Sequence, residues 1–522
     1  MTSIQEAISV ANQYFENVPQ FSLAQRSVSR RAILLGGLGV SALPLLAACS
    51  GAAATPTAAP AATTAPAPTT AAAKPTTAPA TAPTTAPTTA ATAAPTTAPA
   101  AAATAAPTVA PTAQAAASIA KVGGKVSVIA SWGGNEQDSF MAMVKPWEDQ
   151  SGATVEYTGT RDLQAVLATR VKGGNPPDLA GLPSPGVMDQ YASQGKLVDL
   201  TSVVDMATMK QQYSSDWLTL GQAAGKQVGI FIKADIKGLI WYDVQNFSKA
   251  GYQIPKSWAD LMTLSQKIAG TGTTPWSIGL ESGAASGWPA ADWLQDIVLR
   301  QAGPEVYDAW YKGTQKWASP EIKQAWTTWG DIVANAKMVY GGKQYMLATN
   351  FGSAADPVFD TPPKAYLHHQ SSFITTNIEK DFPKLKPVID FNFFPFPDIT
   401  TQYTGAVQGS GDLFGMFNST PQSTSLIKWL TTPEAQSIWV KRGGAISPNK
   451  LVSPDAYPDQ ISKESAQTLT GAKIVRFSAD DLMPSSMENA MWKATLSYVG
   501  DPTSLDSILA HLDTVRGTAY KQ

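Results

Sequence analysis

Cysteine and histidine, the side chains that supply thiolate nucleophiles, imidazole acid–base groups and nitrogen or sulfur metal ligands, are scarce in this sequence. The 522 residues contain one cysteine, Cys49, and three histidines, His368, His369 and His511. A single cysteine cannot form an internal disulfide, and no Cys/His spacing matches a structural zinc site. The adjacent His368 and His369 would point to opposite faces of a strand, which argues against a shared catalytic or metal-binding role. We therefore expect no metal and no cofactor.

Cys49 follows a segment with the composition of an export signal. Arg30 and Arg31 precede an apolar run of about 17 residues, which is at the lower limit for crossing a bilayer of ~30 Å, so a cleaved signal fits better than a permanent membrane helix. Residues 29–34 (SRRAIL) resemble the twin-arginine export motif. Residues 46–49 (LAAC) resemble the bacterial lipobox, which implies cleavage before Cys49 and lipidation of its thiol. The alternative is a free, buried cysteine that follows a transmembrane anchor.

The segment after Cys49 has the composition of a disordered linker. From Gly51 to about Ala117 it is almost entirely Ala, Thr and Pro, with a single charge at Lys74. It lacks the aromatic and branched side chains that would offset an ordering entropy of roughly 1–2 kcal/mol per residue. We therefore predict an export signal over 1–48 and a disordered linker over 49–120 that joins residues 121–522 to a lipid anchor on the outer face of the cell membrane.

The bulk charge excludes one class of partner. The net charge is −2 and the isoelectric point is about 6.0. Such a chain has no long-range field that would attract nucleic acid or anionic lipid. We expect no nucleic-acid partner.

The pattern of elements after residue 121 indicates an α/β fold. All fifteen tryptophans lie in this region, whose length of about 400 residues exceeds the ~250–300 at which one core stops growing, so two lobes are expected. Strand-like runs at 126–130, 154–157 and 178–182 alternate with helical spacing at 138–150 and 162–171. This alternation predicts parallel βαβ units, whose ligands bind at the carboxyl ends of the strands.

Several segments in order resemble family 1 extracellular solute-binding proteins, the maltose-binding type of substrate receptor for bacterial ABC importers. These segments are 130–136 (ASWGGNE), 173–179 (GGNPPDL), 251–261 (GYQIPKSWADL), 432–436 (TPEAQ) and 443–450 (GGAISPNK). Three further segments are closest to the α-glucoside-binding branch: 281–293 (ESGAASGWPAADW), 349–357 (TNFGSAADP) and 409–414 (GSGDLF). The resemblance covers essentially all of residues 125–518.

The resemblance implies a periplasmic-binding-protein type II fold, in which two α/β lobes joined by a hinge close on a sugar. Carried onto this chain, lobe one would comprise about 122–234 and 363–417, and lobe two about 237–360 and 420–522. The hinge crossovers would lie near 234–236, 361–363 and 418–420. The implied function is capture of a carbohydrate, an α-glucoside oligosaccharide, and its delivery to the permease by a monomeric receptor.

The resemblance also implies a set of sugar-binding residues, since sugars need charge-assisted hydrogen bonds and aromatic faces. Most of them have alternative roles. These are a core position for Trp132, a helix N-cap with a solvated arginine for Arg161 and Asp162, a hinge surface charge for Asp235 and a turn cap for Asp412. Glu281 and Trp288 could instead pack in a loop, and Asn350, Phe351 and Gln370 could have ordinary turn and core roles. Asp292 could instead form an ion pair with a nearby Lys or Arg. The full set is Trp132, Glu136, Arg161, Asp162, Asp235, Glu281, Trp288, Asp292, Asn350, Phe351, Gln370, Asp412 and Trp492.

Two other functional classes share such a cleft. A secreted glycoside hydrolase needs two carboxylates about 5–5.5 Å or 6.5–9.5 Å apart, and Asp235, Glu281 and Asp412 could approach one another. A surface lipoprotein that binds sugar without a transporter would have the same residues. Because the resemblance is to binding proteins and no hydrolase motif of the Gly-x-Ser-x-Gly or HExxH type occurs in the domain, we do not expect an enzyme.

Overall fold

The computed structural model describes residues 119–521. The predicted export signal, Cys49 and nearly all of the predicted linker lie outside these residues. The described residues contain eleven strands: β1 Lys125–Ala130, β2 Thr154–Gly159, β3 Leu179–Leu182, β4 Gln222–Ala223, β5 Lys226–Gln227, β6 Gly229–Ile236, β7 Leu239–Asp243, β8 His368–Gln370, β9 Phe391–Pro395, β10 Ala406–Met416 and β11 Ile474–Phe477.

Helices account for most of the remaining described chain. The first ten are α1 Asn135–Ser151, α2 Leu163–Lys172, α3 Pro185–Ser193, α4 Met206–Gln212, α5 Ser215–Leu220, α6 Val244–Lys249, α7 Trp258–Gly270, α8 Trp288–Gln301, α9 Pro304–Tyr311 and α10 Pro320–Val333. They are followed by α11 Gly342–Ala348, α12 Asp356–Phe359, α13 Thr375–Asp381, α14 Pro421–Leu430, α15 Pro433–Val440, α16 Gln460–Gly471, α17 Ala479–Leu482, α18 Ser485–Gly500 and α19 Leu505–Ala519.

The larger sheet is built around the long strand β10. On one edge β10 runs antiparallel to β6, and on the other it pairs with β3 and β11. Beyond β3 come β1 and β2, and these three strands are parallel to one another. The predicted strands at 126–130, 154–157 and 178–182 and the helices at 138–150 and 162–171 are confirmed, because β1 to β3, α1 and α2 occupy these positions. The predicted βαβ arrangement is therefore present.

The smaller sheet has β7 at its centre, antiparallel to both β8 and β9. The chain passes from the larger sheet to the smaller one at Lys237 and Gly238, between β6 and β7. Gly238 has φ +69°, and a Cβ there would lie 2.5 Å from a carboxylate oxygen of the buried Asp296. Glycine is therefore required at this crossing, because another residue would be strained at this φ and its Cβ would clash with Asp296.

The packing divides the chain between the lobes differently from the sequence prediction at two places. We call the larger sheet with its helices lobe one, and the smaller sheet with its helices lobe two. Residues 368–395, assigned to lobe one, supply β8 and β9 to the sheet of lobe two. Residues 421–440, assigned to lobe two, pack on α1 and β1 in lobe one. The predicted crossovers near 361–363 and 418–420 are therefore wrong, since each lies within one lobe.

Each lobe has its own aromatic-rich core. In lobe one, Phe140, Trp147, Phe414 and Trp439 are buried together, whereas in lobe two α8, α10 and α18 bury tryptophans in one shared cluster. Burial of a large aromatic side chain contributes more than any other single hydrophobic residue, so these clusters stabilise the lobes without a disulfide. Among residues 119–521, no helix has both the length and the apolar character that crossing a membrane requires.

Candidate binding cleft

A cavity of about 400 Å³ lies between the two lobes. From lobe one it is lined by the loops that follow β1, β2 and β3 and by residues of β6 and β10. From lobe two it is lined by the start of α8, residues 371–373 and the region of α17 and α18. The carboxyl ends of parallel strands form one wall, which is where open α/β sheets place their ligands.

The floor of the cavity on the side of lobe one is a group of charged side chains around Lys233. The Lys233 Nζ lies 3.0 Å from Glu136 Oε1, 2.9 Å from Asp235 Oδ2 and 3.4 Å from Asp412 Oδ2. On the far side of Glu136, Arg161 Nη2 donates to Oε2 at 3.2 Å. Lys233 is 3% exposed, so one buried ammonium is shared by three carboxylates, each of which borders the cavity.

The pKa values of this group follow from burial and from the shared ammonium. Burial raises the pKa of Asp235 and raises that of Asp412 to about 6, because Lys233 offsets only part of the cost of burying the charges. Burial also acts to raise the pKa of Glu136, but Lys233 and Arg161 outweigh it and the net shift is downward. For Lys233, burial alone would lower the pKa, and the carboxylates raise it well above its ordinary value.

A second ion pair lies beside the crossing between the lobes. Lys237 Nζ donates to both carboxylate oxygens of Asp292, at 2.8 and 2.9 Å, and lies 4.8 Å from the centre of the Trp288 ring. Burial raises the pKa of Asp292 to about 7, with Lys237 acting against that shift and Asp480 adding to it. Lys237 is thus fixed by Asp292 and also touches the cavity.

Aromatic rings form the opposite wall. Trp288 packs edge-on against Phe351 with ring centres 5.1 Å apart, and Phe373 lies next to both. Arg161 reaches across from lobe one and lies 4.7 Å from the centre of the Phe351 ring. Trp492 borders the cavity from α18, and its Nε1 donates to Asp480 Oδ2 at 2.8 Å. The ring orientation of Trp492 is therefore set by a hydrogen bond at its polar edge.

The lobes contact each other around the rim of the cavity. Asp162 accepts a hydrogen bond from the Ala284 backbone N–H at 3.1 Å, and Gln164 Nε2 donates to Glu488 Oε2 at 2.6 Å. At Gly186 a Cβ would lie 2.1 Å from the carbonyl oxygen of Met483, so the two backbones approach as closely as glycine permits. The structure therefore describes a closed arrangement.

Nine of the thirteen predicted residues line the cavity. They are Trp132, Glu136, Arg161, Asp162, Asp235, Trp288, Phe351, Asp412 and Trp492. For three of them the structure does not match the alternative role: Asp162 makes no helix-cap bond, whereas Asp235 and Asp412 are buried beside Lys233 rather than at a surface or a turn. Trp132 and Phe351 border the cavity and are also buried in hydrophobic cores, as their alternative roles predict; the Trp132 ring packs on Trp439.

The structure places the other four predicted residues outside the lining. Glu281 binds the Gly283 backbone N–H and the Asn350 amide, so both Glu281 and Asn350 stabilise a loop. The Gln370 side chain accepts from the next backbone N–H, that of Ser371. Asp292 forms the ion pair that was its alternative role.

Sequence reasoning missed several lining residues: Gln164, Ser184, Lys233, Lys237, Phe373, Asp480, Asp481 and Asn489. A signal existed for Lys233, since a lysine within the otherwise apolar run of β6 needs a buried partner. None of the described residues forms a group of three or more His, Cys, Asp or Glu side chains arranged to hold a metal ion. The arrangement suits a polyhydroxylated ligand with apolar faces, which carboxylates, ammonium groups and aromatic rings can hold together.

Two known binding proteins are similar in sequence to most of this chain. The chain is 34% identical over 377 residues to the osmoprotective compounds-binding protein GgtB of Synechocystis sp., covering 72% of this chain and 89% of that one. It is 31% identical over 394 residues to the alpha-glucosides-binding periplasmic protein AglE of Rhizobium meliloti, covering 74% and 85%. Both matches extend over most of each relative.

Among solved structures, the bacterial solute receptor AcbH, which prefers β-D-galactopyranose, superimposes with a TM-score of 0.67 at 20% identity. The match covers 77% of this chain and all of AcbH, and it confirms the periplasmic-binding-protein type II fold. The model of the family described as bacterial extracellular solute-binding protein matches residues 133–437, more than half of the chain. This protein is therefore a member of the bacterial extracellular solute-binding protein family.

Proposed function

We propose that the protein captures a small α-linked glucoside outside the cytoplasm and delivers it to the permease of an ABC importer. The observation that carries the sugar assignment is the lining of the cavity. Three aromatic rings, those of Trp288, Phe351 and Trp492, lie opposite the carboxylates grouped around Lys233. Sugar C–H faces stack on such rings, and sugar hydroxyls donate to such carboxylates.

The size of the cavity supports a short ligand. At about 400 Å³ it is near the lower end of the ~300–1,000 Å³ range of ligand pockets. Interlobe contacts at Asp162 and at Gln164 close its rim. A di- or trisaccharide therefore fits the proposal better than a longer chain.

The names of two relatives support the class of ligand. AglE is an alpha-glucosides-binding periplasmic protein and GgtB an osmoprotective compounds-binding protein. The α-glucoside-like segments at 281–293 and 349–357 supply two of the aromatic rings, Trp288 and Phe351. The further proposal of delivery to a permease rests on membership of the solute-binding family.

The proposal includes a lipid anchor at Cys49. It rests on the twin-arginine-like and lipobox-like residues and on the long Ala/Thr/Pro segment that follows them. Anchored in this way, the receptor would remain beside its permease in a cell without an outer membrane.

A sugar panel tests the proposed ligand class. Maltose, trehalose and maltotriose are added to the purified full chain, with β-linked cellobiose as the matched control, and the melting temperature is recorded. At 100 times its dissociation constant, a bound α-glucoside should stabilise the protein by about 2.7 kcal/mol, and the sugar should be recovered intact. If glucose is released, the glycoside hydrolase alternative is favoured, and if no sugar shifts the melting temperature the proposed function is wrong.

Replacement of Trp492 by Ala tests the aromatic wall. Loss of a stacked ring should weaken binding of the best sugar in the panel by at least ~1 kcal/mol, measured by calorimetry. Trp429→Ala is the matched control, since Trp429 lies in α14 and packs against the core of lobe one. If the wild type and the Trp492 variant bind the sugar with equal affinity, the Trp492 ring does not stack on the ligand and its role is purely structural.

The anchor is tested on the mature N-terminus. When the full chain is expressed in a bacterium with lipoprotein processing, intact-mass analysis should find a protein that begins at Cys49 and carries a lipid on its thiol. Cys49→Ser should prevent lipidation and release the protein from the membrane fraction. A chain that runs uncleaved through residue 49 would contradict the lipoprotein proposal.

A further inference from the structure

Four side chains join the two lobes at one end of the cavity, and we call them the interlobe cluster. Gln164 and Ser184 belong to lobe one, whereas Asp481 in α17 and Glu488 in α18 belong to helices whose apolar side chains pack into the core of lobe two. Gln164 Nε2 donates to Glu488 Oε2 at 2.6 Å, and Ser184 Oγ lies 2.7 Å from Glu488 Oε1 and 3.2 Å from Asp481 Oδ1. These contacts exist only while the lobes are together.

The hydrogen count of the cluster leaves a place for a proton on one carboxyl group. A serine hydroxyl donates one proton, and ionised carboxylates only accept hydrogen bonds. The Ser184 hydroxyl lies within hydrogen-bond distance of two carboxyl oxygens, so it can donate to one of them only. The second contact is a hydrogen bond if the other carboxyl is a neutral acid that donates its O–H to Ser184 Oγ.

The surroundings of the cluster favour that neutral form. Glu488 is fully buried and Asp481 nearly so, and neither forms an ion pair within the described residues. Asp480 and Asp292 add negative charge nearby, while Lys237, the cation that faces Asp481, is paired with Asp292. Burial, followed by the charge of Asp480, raises the pKa of Glu488 to about 8, and the pKa of Asp481 is also raised well above its ordinary value.

We propose that Glu488 is a positioning residue for ligand capture, and that the interlobe cluster holds the cleft closed with one shared proton taken up as the lobes close. This goes beyond capture of a sugar, because it concerns how the lobes stay together. In an open cleft, water solvates the two carboxyl groups, and their pKa values return toward the ordinary range. Closing then buries the pair, and the added proton removes the repulsion between two carboxylates.

The sign of the pH dependence follows from this uptake. Below the ordinary carboxyl range both states are protonated, and closing is independent of pH. Between that range and a pH of about 8 the closed state binds one proton more, so the ratio of closed to open protein falls about tenfold per pH unit. Above this window, closing must bury two ionised carboxylates.

A ligand-free distance measurement tests the proposal separately from the sugar assignment. Lys196 of lobe one and Lys493 of lobe two are exposed, and each is changed to Cys in a full chain that also carries Cys49→Ser. Spin labels on these two cysteines report the interlobe distance by electron paramagnetic resonance. In the labelled protein with Glu488 and Asp481 unchanged, the distance between the labels should shift from short to long between pH 6 and pH 8.5. Glu488→Gln should stay short at both, since its amide donates to Ser184 and accepts from Gln164 without titrating.

Two further variants complete the test, one at the other carboxyl group of the cluster and one as a control. Asp481→Asn supplies the neutral donor from the other partner and should also flatten the response, which keeps the test available if one variant fails to fold. Glu305→Gln, the same change as in the first variant at an exposed position of α9, should keep the wild-type response. The proposal is wrong if the Glu488 and Asp481 variants respond to pH as the wild type does, or if both stay open at pH 6.

Discussion

The cavity depends on one buried ammonium group. Lys233 in β6 contacts carboxylates from three positions: Glu136 in α1, Asp235 in the same strand and Asp412 in β10. Moving a carboxylate into the protein interior costs several kcal/mol per ion unless it is paired and hydrogen-bonded. Since Lys233 offsets part of this cost for all three, the protein can present acceptor groups at the floor of a cavity that closes away from water.

The cost of burying carboxylates is offset at several places along the cleft, and not by the same kind of group at each place. Around Lys233 and between Lys237 and Asp292, a cation balances the buried carboxylates. At Asp481 and Glu488 the structure offers no such ion pair among its described residues, and we infer that a proton takes that role. Ion pairs within a lobe are present whether the cleft is open or closed, whereas a group buried by closure couples the closure to its titration.

Parts of the fold and of the site were predictable from local pattern. The strands and helices between residues 126 and 182 follow from apolar runs that alternate with helical spacing, and their order predicts the sheet edge at which the cavity lies. The resemblance located Glu136, Asp412 and Trp492 at the cavity. These residues lie in segments whose sequence is distinctive over several positions.

Long-range packing was not predictable in the same way. The apolar residues within 421–440 predict that this segment is buried, but they do not predict in which lobe. The structure shows that Trp439 packs against Trp132 in lobe one. Glu281 and Asn350 lie in two distinctive segments, yet they bind each other, because two polar side chains in neighbouring loops can satisfy each other's hydrogen bonds. Glu488 reads as an ordinary charged residue of a helix, and its burial arises from the approach of Gln164 and Ser184.

The most direct test of this account is the free energy of unfolding of Lys233→Met, measured with urea at pH 7 and at pH 5. At pH 7 the variant leaves the buried Asp235 and Asp412 without the ammonium that contacts them and leaves Glu136 with Arg161 alone, and we expect it to lose about 3–5 kcal/mol relative to the wild type. Without Lys233 the carboxylates have higher pKa values in the folded state, so they take up protons as the pH falls and the difference should narrow at pH 5. A loss below about 1 kcal/mol that is equal at both pH values would contradict the claim that this ammonium organises the cavity.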